Sequence, residues 1–304
     1  MTDLPWPDAM TRRQFLAAGG VGAGAVLLGA CGPGEGGESG ATTTTTNATT
    51  GDLSLVQFFG GPAFVAGREA RAPFGVADVD GLLPVGRTPA SLLVSILGPD
   101  GSPLGDSIEV ARRDAGLPRA YFPLRFTVDQ PGVYTARSEL DGVAVEMAVK
   151  VDAADDVVLI QPGDPLPGLA TPTASAAQGV DPICTRDPAC SLHEDSVADA
   201  LAAGAPVALL VSTPAFCQVA ICGPVLDVLL GQVAAHPDIV FIHAEVYSHP
   251  NSDPELQDYA PVVDALGLHF EPCLVLAGSD GRVIERLDDI FDETELAEGL
   301  GRLA

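Results

Sequence analysis

Residues 206–224, PVALLVSTPAFCQVAICGP, decide the fold of the C-terminal region. The run Pro206–Ser212 is short and wholly apolar, which predicts a central strand buried on both faces. Cys217 and Cys222 follow that strand at once and stand at the beginning of a helical pattern over Val219–Ala235. Because the first amides of a helix stabilise a thiolate, this position predicts a reactive cysteine.

The flanking sequence alternates between helical and strand patterns. Ser191 with Glu194 three residues later forms a capping box, which predicts a helix over Ser191–Ala203. Further strands and helices are predicted in the order strand Ile239–Glu245, helix Asp258–Leu266, strands Cys273–Ala277 and Arg282–Leu287, and helix Asp292–Leu303. Residues 183–304 therefore read as an α/β domain with a parallel crossover, an antiparallel hairpin and a closing helix.

Several motifs in this domain resemble the thioredoxin-like superfamily. They are Phe216 before the first cysteine, Gly223-Pro224 after the second, Glu271-Pro272 before a strand, and the hairpin Ser279-Asp280-Gly281-Arg282-Val283. The resemblance implies a thioredoxin-like fold, with Cys217 as nucleophile and Cys222 as the resolving cysteine. It also implies a cis Pro272 that faces the dithiol, with the backbone of its neighbour Glu271 receiving the substrate chain.

Two features depart from that family. Its cysteine pair is separated by two residues, whereas four residues separate Cys217 from Cys222. On one helix such positions point about 140° apart, so the pair can bond only if Cys217 lies in the preceding loop or if the first turn is remodelled. We expect the loop, with the added residues as an insertion. The strand Val207–Ser212 also lacks the buried acid that thioredoxins use as a proton acceptor.

The other cysteines suggest structural roles. Cys184 and Cys190 flank a short irregular segment, and a loop-closing disulfide is the natural interpretation in an oxidising exterior. A metal site is the alternative, and it would need two further ligands. We interpret Cys273 as a small buried residue of a strand, and His243 as a satisfied core residue. The alternative for Cys273, which adjoins Pro272, is a third thiol that traps a substrate or completes a soft-metal site.

Three other functions compete with thiol–disulfide exchange. Copper-delivering assembly proteins of thioredoxin fold pair two thiolates with a histidine, and Cys217, Cys222 and His269 resemble that set. A pair spaced by four also occurs in one group of peroxiredoxins, although Leu209 stands where their motif has a proline. In a non-catalytic surface scaffold, both cysteine pairs would be structural disulfides.

An all-β pattern covers residues 53–152. Turn signals separate short apolar or alternating runs, and Asp141-Gly142 predicts a two-residue hairpin. The predicted strands are Leu53–Phe59, Ser91–Leu97, Ala120–Val128, Val133–Leu140 and Val143–Val151. The segment Asp129–Tyr134 resembles the tyrosine corner of immunoglobulin-like sandwiches, so we expect a β-sandwich of that kind. Residues 153–182 are rich in proline and predict a semi-extended linker.

The first residues resemble an exported lipoprotein. Arg12-Arg13 precede a short apolar run that ends at Leu28-Gly29-Ala30-Cys31, which resembles a twin-arginine signal with a lipobox over residues 1–31. That resemblance implies lipidation of Cys31 and a cell-membrane location on the extracytoplasmic face. Residues 32–52, rich in Gly, Ser and Thr, predict a disordered tether.

Charge and motifs together define the expected function. Fifteen basic and 41 acidic residues give a formal net charge of -26, which disfavours nucleic acid because binding it requires Lys and Arg to neutralise phosphates. We expect a membrane-tethered thiol–disulfide oxidoreductase that acts on exported thiol or disulfide proteins. Such exchange needs no cofactor, and copper is the alternative.

Overall fold

The computed structural model describes residues 53–250 and 258–303. The predicted signal at 1–31 with its lipidation site Cys31, and the predicted tether at 32–52, lie outside these residues. Among the described helices, none combines the length and the apolar character needed to cross a membrane.

The first half of the described chain is all-β, as expected, and forms two four-stranded sheets. The strands are β1 (Ser54–Gln57), β2 (Glu69–Asp78), β3 (Gly81–Leu82), β4 (Ser91–Leu97), β5 (Ile108–Ala111), β6 (Phe122–Thr127), β7 (Gly132–Leu140) and β8 (Val143–Val151). In one sheet, β2 pairs with β1, β3 and β6; in the other, the strand order is β5-β4-β7-β8. The predicted set lacked β2, β3 and β5. β2 was missed because its burial is nearly continuous rather than alternating, and because it contains Arg71 and Pro73.

The core of this β-sandwich is built from alternating side chains of both sheets. Strand β8 shows the pattern clearly, since every second residue from Val145 to Val151 is buried. Phe74 and Phe122 stack in the centre with ring centroids 5.3 Å apart, and each such burial contributes about 1.5–3 kcal/mol. The expected tyrosine-corner contact is present, because the Tyr134 hydroxyl donates to the Gln130 carbonyl at 2.6 Å.

The second half contains one mixed sheet with helices on both faces. Its strands are β9 (Val207–Val211), β10 (Val240–Ala244), β11 (Cys273–Ala277) and β12 (Val283–Asp288), in the spatial order β10-β9-β11-β12. β9 and β10 are parallel, β11 is antiparallel to β9, and β12 is antiparallel to β11. All five residues of β9 are buried, which confirms its prediction as a central strand.

Four helices cover the two faces of this sheet. They are α1 (Val197–Ala202), α2 (Cys222–Gln232), α3 (Pro261–Leu266) and α4 (Glu293–Leu300). α1 and α3 pack into the core on one face, and α2 and α4 pack into the core on the other. The chain from β9 through α2 to β10 is therefore the predicted parallel crossover, followed by the β11–β12 hairpin and the closing helix α4.

Three predicted helix boundaries were wrong at the N-terminal end. α1 begins after Ser196, whose hydroxyl accepts from the Asp199 N–H at 3.1 Å, so the cap is five residues later than the predicted Ser191. α2 begins at Cys222 rather than Val219. α3 begins at Pro261 rather than Asp258, because proline, which has no N–H to pair, fits the first turn of a helix.

The segment predicted as a linker, residues 153–182, packs against both halves of the described chain, since Leu159 joins the sandwich core and the apolar residues after it join a core of the second half. Leu159, Ile160, Leu166 and Val180 are buried. Its backbone also bonds to the sheet edge, since the Gly163 N–H donates to the Val283 carbonyl at 2.7 Å. Its prolines make it irregular, and its apolar side chains hold it against the protein surface.

A buried ion pair joins the sandwich to the second half. Arg71 of β2 makes a two-pronged contact with Glu295 of α4, with both N–O distances at 2.7 Å. The Tyr121 hydroxyl donates to the same carboxylate at 2.5 Å. Although burial favours the neutral acid, Arg71 and Tyr121 lower the pKa of Glu295 to about 2. The carboxylate is therefore ionised at neutral pH and holds the two halves together.

Candidate functional site

The predicted cysteine pair lies where β9 gives way to α2. Cys222 is the first residue of α2, and Cys217 lies in the loop before it, which is the arrangement expected from their spacing. The Ala220 N–H donates to the Cys217 carbonyl at 3.3 Å, and Ala220 has a left-handed φ of 54°. This turn reverses the chain, so that the Cys222 N–H donates to Sγ of Cys217 at 3.4 Å.

The two thiols have opposite electrostatic environments. Hydrogen bonding from the Cys222 thiol, supported by nearby backbone amides, lowers the pKa of Cys217 to about 6 despite partial burial. Burial raises the pKa of Cys222 well above its usual value, and the neighbouring Cys217 raises it further. Cys217 is half-buried and Cys222 is fully buried. At neutral pH the accessible sulfur is thus the thiolate, and the inaccessible one is the thiol.

Pro272 and Glu271 lie at the start of β11, beside this pair. The Glu271–Pro272 peptide is cis, as the family resemblance implied. Because Cys273 pairs with Val211, Pro272 lies at the end of β9 from which the loop with Cys217 continues. The charge of Glu271 contributes to the raised pKa of Cys222. The Pro272 carbonyl accepts from the Asp289 N–H at 2.8 Å, so this segment is tied to the chain that follows β12.

Asp289 is a site residue that the sequence did not reveal. It follows β12 with a left-handed φ of 62° and is only 5% exposed. Burial raises its pKa to about 7; Arg119 opposes this shift and the Cys217 thiolate adds to it. The chain therefore has a buried acid at the end of β12, rather than in β9, and the charge of Cys217 contributes to its raised pKa.

The β-sandwich also contributes a residue to this site. Arg119 lies between β5 and β6, and its Nη2 donates to the Val219 carbonyl at 2.6 Å. Val219 is in the insertion between the two cysteines, so Arg119 supports that turn from the other half of the protein. No motif in the sequence links Arg119 to the cysteine pair.

Cys184 and Cys190 form a second cluster, together with two histidines. The two sulfurs are 3.7 Å apart as free thiols, so the disulfide expected from their spacing is not formed in the structure. His193 Nε2 lies 3.2 Å from Cys190 Sγ, and His243 Nδ1 lies 3.5 Å from the same sulfur. His243 is therefore buried as expected, but it faces the cysteines. All four ligand atoms lie within 4.8 Å of one another, an arrangement that could hold a metal ion.

Local structure explains how this cluster assembles. Because α1 begins only after Ser196, His193 remains in the irregular segment that carries both cysteines. His243 comes from the parallel strand β10, where its N–H donates to the Leu192 carbonyl at 3.0 Å. Hydrogen bonding from Cys190 lowers the pKa of Cys184, and the same pairing raises the pKa of Cys190. The Cys190-x-x-His193 spacing was a signal for one ligand, whereas nothing in the sequence linked His243 to it.

His269 and Cys273 take no part in either group. The His269 ring packs edge-on against Phe270, with centroids 5.0 Å apart, and it contacts Gly61. Among the described residues, His269 forms no ligand group with Cys217 and Cys222. Cys273 is fully buried, and its thiol donates to Asp288 Oδ1 at 3.6 Å, which fits the expected structural role.

Comparison with known proteins adds no assignment, since no family model and no curated protein matches the chain.

Proposed function

We propose that residues 183–304 form a thioredoxin-like domain that exchanges thiols and disulfides through Cys217 and Cys222. The strand order β10-β9-β11-β12, with a parallel crossover and an antiparallel hairpin, supports this fold. The cis peptide before Pro272 and the dithiol at the start of α2 support it further. The single observation that carries the function is the contact between the Cys222 N–H and Cys217 Sγ, which accompanies a Cys217 pKa of about 6.

The exchange reaction proceeds in two steps. The Cys217 thiolate attacks one sulfur of a client disulfide, which forms a mixed disulfide and releases the other client sulfur as a thiolate. Cys222 then loses its proton and attacks Cys217 Sγ, which forms the Cys217–Cys222 disulfide and frees the second client thiolate. Two electrons pass to the client, and its two thiolates take up two protons. The reverse sequence oxidises a client dithiol.

Asp289 is our candidate for the acceptor of the Cys222 proton. A carboxyl group with a pKa of about 7 is ionised in part of the molecules at neutral pH and can accept a proton. Asp289 is tied through its N–H to the Pro272 carbonyl, which keeps it beside the pair. It would replace the buried acid that β9 lacks.

The clients and the location belong to the same proposal. The signal pattern at residues 1–31 supports export and a lipid anchor at Cys31, so the clients would be exported proteins with thiols or disulfides. Copper delivery through Cys217, Cys222 and His269 has less support, because His269 packs against Phe270 and Gly61 instead.

Trapping of the mixed disulfide in the full chain tests the proposal. Cys222→Ser should accumulate a covalent adduct with a disulfide-containing client such as insulin, because the resolving thiol is missing. Cys217→Ser should form no adduct and should not reduce insulin. Cys273→Ala is the matched control, since that thiol is fully buried and donates to Asp288, and it should keep the activity.

Two outcomes would contradict the proposal. Wild-type protein whose Cys217 and Cys222 stay free and unreactive after oxidation has no redox pair. A Cys217–Cys222 disulfide with a reduction potential below about −300 mV is a structural bridge, and would favour the non-catalytic scaffold.

A further inference from the structure

We propose that Cys184, Cys190, His193 and His243 form a closed, tetrahedral Zn²⁺ site. Three of the side chains come from the segment before α1, and His243 comes from strand β10. His243 is 59 residues from Cys184 and 53 residues from Cys190 along the chain. Their convergence, with no salt bridge or disulfide among them, needs a physical explanation. A metal ion supplies it.

The distances fit a tetrahedral ion. With Zn–S bonds of about 2.3 Å and Zn–N bonds of about 2.0 Å, the ligand atoms at the corners of a tetrahedron are roughly 3.3–3.8 Å apart. The two sulfurs are 3.7 Å apart, and Cys184 Sγ is 3.7 Å from His243 Nδ1. Two further contacts, from Cys190 Sγ to His193 and to His243, are 3.2 and 3.5 Å. The last two pairs, His193 with Cys184 and His193 with His243, lie within 4.8 Å. The cluster thus has the size of a zinc coordination shell.

The ring of His243 is held in the orientation of a ligand. Its Nε2 lies 3.0 Å from the Ser212 hydroxyl and 3.2 Å from the Ser212 carbonyl. In the proposed site, Nε2 carries the proton and donates to this carbonyl, and Nδ1 presents its lone pair to the ion. A hydrogen bond from the second ring nitrogen to a carbonyl is the usual support of a metal-bound histidine.

The environment of His193 points to the same ion. The residue is only 4% exposed, and its Nδ1 has no hydrogen-bond partner among the described residues. A metal bond at Nε2 would place the ring proton on Nδ1, so His193 lacks the support from a carbonyl that His243 has, and its case as a ligand rests on its burial and on the position of Nε2. Nε2 faces Cys190 Sγ, which is where a metal bond would form.

The donor set selects the cation. Two thiolates and two neutral imidazoles balance the charge of Zn²⁺, and tetrahedral S₂N₂ sites are typical of zinc. Calcium and magnesium prefer oxygen ligands, which this cluster does not offer. Four protein ligands leave no open position, so the site is structural rather than catalytic.

The zinc site would also hold the loop that carries Cys217. The Thr185 hydroxyl accepts from the Ala215 N–H at 3.1 Å, and the Ser212 that supports His243 ends β9. The ion would therefore fix residues 184–193 against residues 212–217. This last consequence rests on the proposed function, whereas zinc binding does not.

Metal titration of the full chain tests the site. The protein is prepared with Cys217→Ser and Cys222→Ser, so that the proposed redox pair cannot bind metal, and is stripped of metal under reducing conditions. Zn²⁺ added against a coloured chelator should bind at one equivalent per chain. Co²⁺ should give the intense visible bands of a tetrahedral site and a sulfur-to-cobalt charge-transfer band.

Variants identify the ligands. Cys184→Ser and His193→Ala should each weaken Zn²⁺ binding by about 100-fold or more, whereas His236→Gln, outside the cluster, should bind as the parent does. His193→Cys keeps four ligands and should keep one equivalent of Zn²⁺ with stronger charge transfer, which guards against simple misfolding of the alanine variant.

Three results would overturn the site. They are failure of the parent to bind stoichiometric Zn²⁺ while Cu(I) binds, unchanged Zn²⁺ affinity in His193→Ala, and a Cys184–Cys190 disulfide in protein that was never exposed to oxidant. Because the titration uses protein without Cys217 and Cys222, its failure leaves the thiol–disulfide proposal untouched. Failure of adduct trapping likewise leaves the zinc result standing.

Discussion

The backbone N–H of Cys222 donates to Sγ of Cys217 across 3.4 Å, although four residues separate the two cysteines. A continuous helix would have directed these side chains apart. The turn at Ala220 places Cys217 outside α2 and in reach of its first amides. The wider spacing is therefore compatible with a redox pair, because the added residues lie in the loop and not in the helix.

The first prediction concerns the reactivity of Cys217. In the reduced protein, the rate of alkylation at Cys217 should rise with pH through a midpoint near 6, because the thiolate is the reactive form. Cys222→Ala should move that midpoint up toward the ordinary thiol value, since the largest stabilising hydrogen bond is lost. Mass spectrometry of the labelled cysteines over a pH series measures both, with Cys273→Ala as the control. A midpoint that does not respond to Cys222→Ala would contradict the assigned cause.

A second prediction concerns the role of Asp289 in resolving the mixed disulfide. In the wild type, the resolution rate should rise as pH increases through about 7, where the Asp289 carboxyl becomes ionised and can accept the Cys222 proton. Asp289→Asn should slow resolution by about 10-fold or more near neutral pH and remove that rise. Stopped-flow kinetics measures it, and Asp280→Asn in the exposed hairpin turn is the matched control. Equal rates for both variants would rule Asp289 out.

The same residue makes stability depend on pH. The pKa of Asp289 is raised in the folded protein, so its burial favours the protonated form. Stability from this group is full below its unfolded pKa near 4 and falls as pH rises through about 7. The loss reaches about 4 kcal/mol, at about 1.4 kcal/mol per unit. Asp289→Asn should flatten this part of the curve in urea unfolding between pH 4 and 8; an unchanged slope would contradict the raised pKa.

The contact of Arg119 with Val219 predicts that the sandwich affects the exchange rate of the Cys217–Cys222 pair. Arg119→Ala removes the 2.6 Å hydrogen bond to the insertion and a positive charge that opposes the high pKa of Asp289. We expect slower exchange with insulin and an upward shift in the pH dependence of resolution. Stability should change by no more than about 0.5 kcal/mol, because the side chain is on the surface. Arg87→Ala, which removes an exposed arginine within the sandwich, should leave the kinetics unchanged.

The buried pair of Arg71 and Glu295 predicts a large loss of stability on substitution. Arg71→Met leaves the Glu295 carboxylate buried without its main partner, which costs about 3–5 kcal/mol. Arg137→Met removes the partner of Glu146 in an exposed pair and should cost about 1 kcal/mol or less. Chemical denaturation of the two variants side by side measures the difference. If the two variants lose similar amounts of stability, the contact between the sandwich and the second half does not depend on the buried Arg71–Glu295 pair.

Local patterns in the sequence were sufficient for much of the fold. The apolar run at β9 and the hairpin of β11 and β12 were predicted because burial on both faces and turn residues leave a direct trace in neighbouring positions. The boundaries of α1 and α2 were wrong because Ser191 and Val219 fit a helix pattern locally. In the folded chain, His193 turns toward the cysteines and the insertion turns at Ala220, so both helices begin later.

By itself the sequence determined which residues could carry chemistry: the Cys217–Cys222 pair, Pro272 beside it, and the cysteines at 184 and 190. Only the tertiary structure decided what surrounds them. Arg119 of the sandwich bonds to Val219 between Cys217 and Cys222, Asp289 after β12 bonds to Pro272, and His243 joins the second cluster from β10. These contacts join residues far apart in the chain. Their geometry depends on how the sheets and helices pack, and spacing along the sequence carries no record of it.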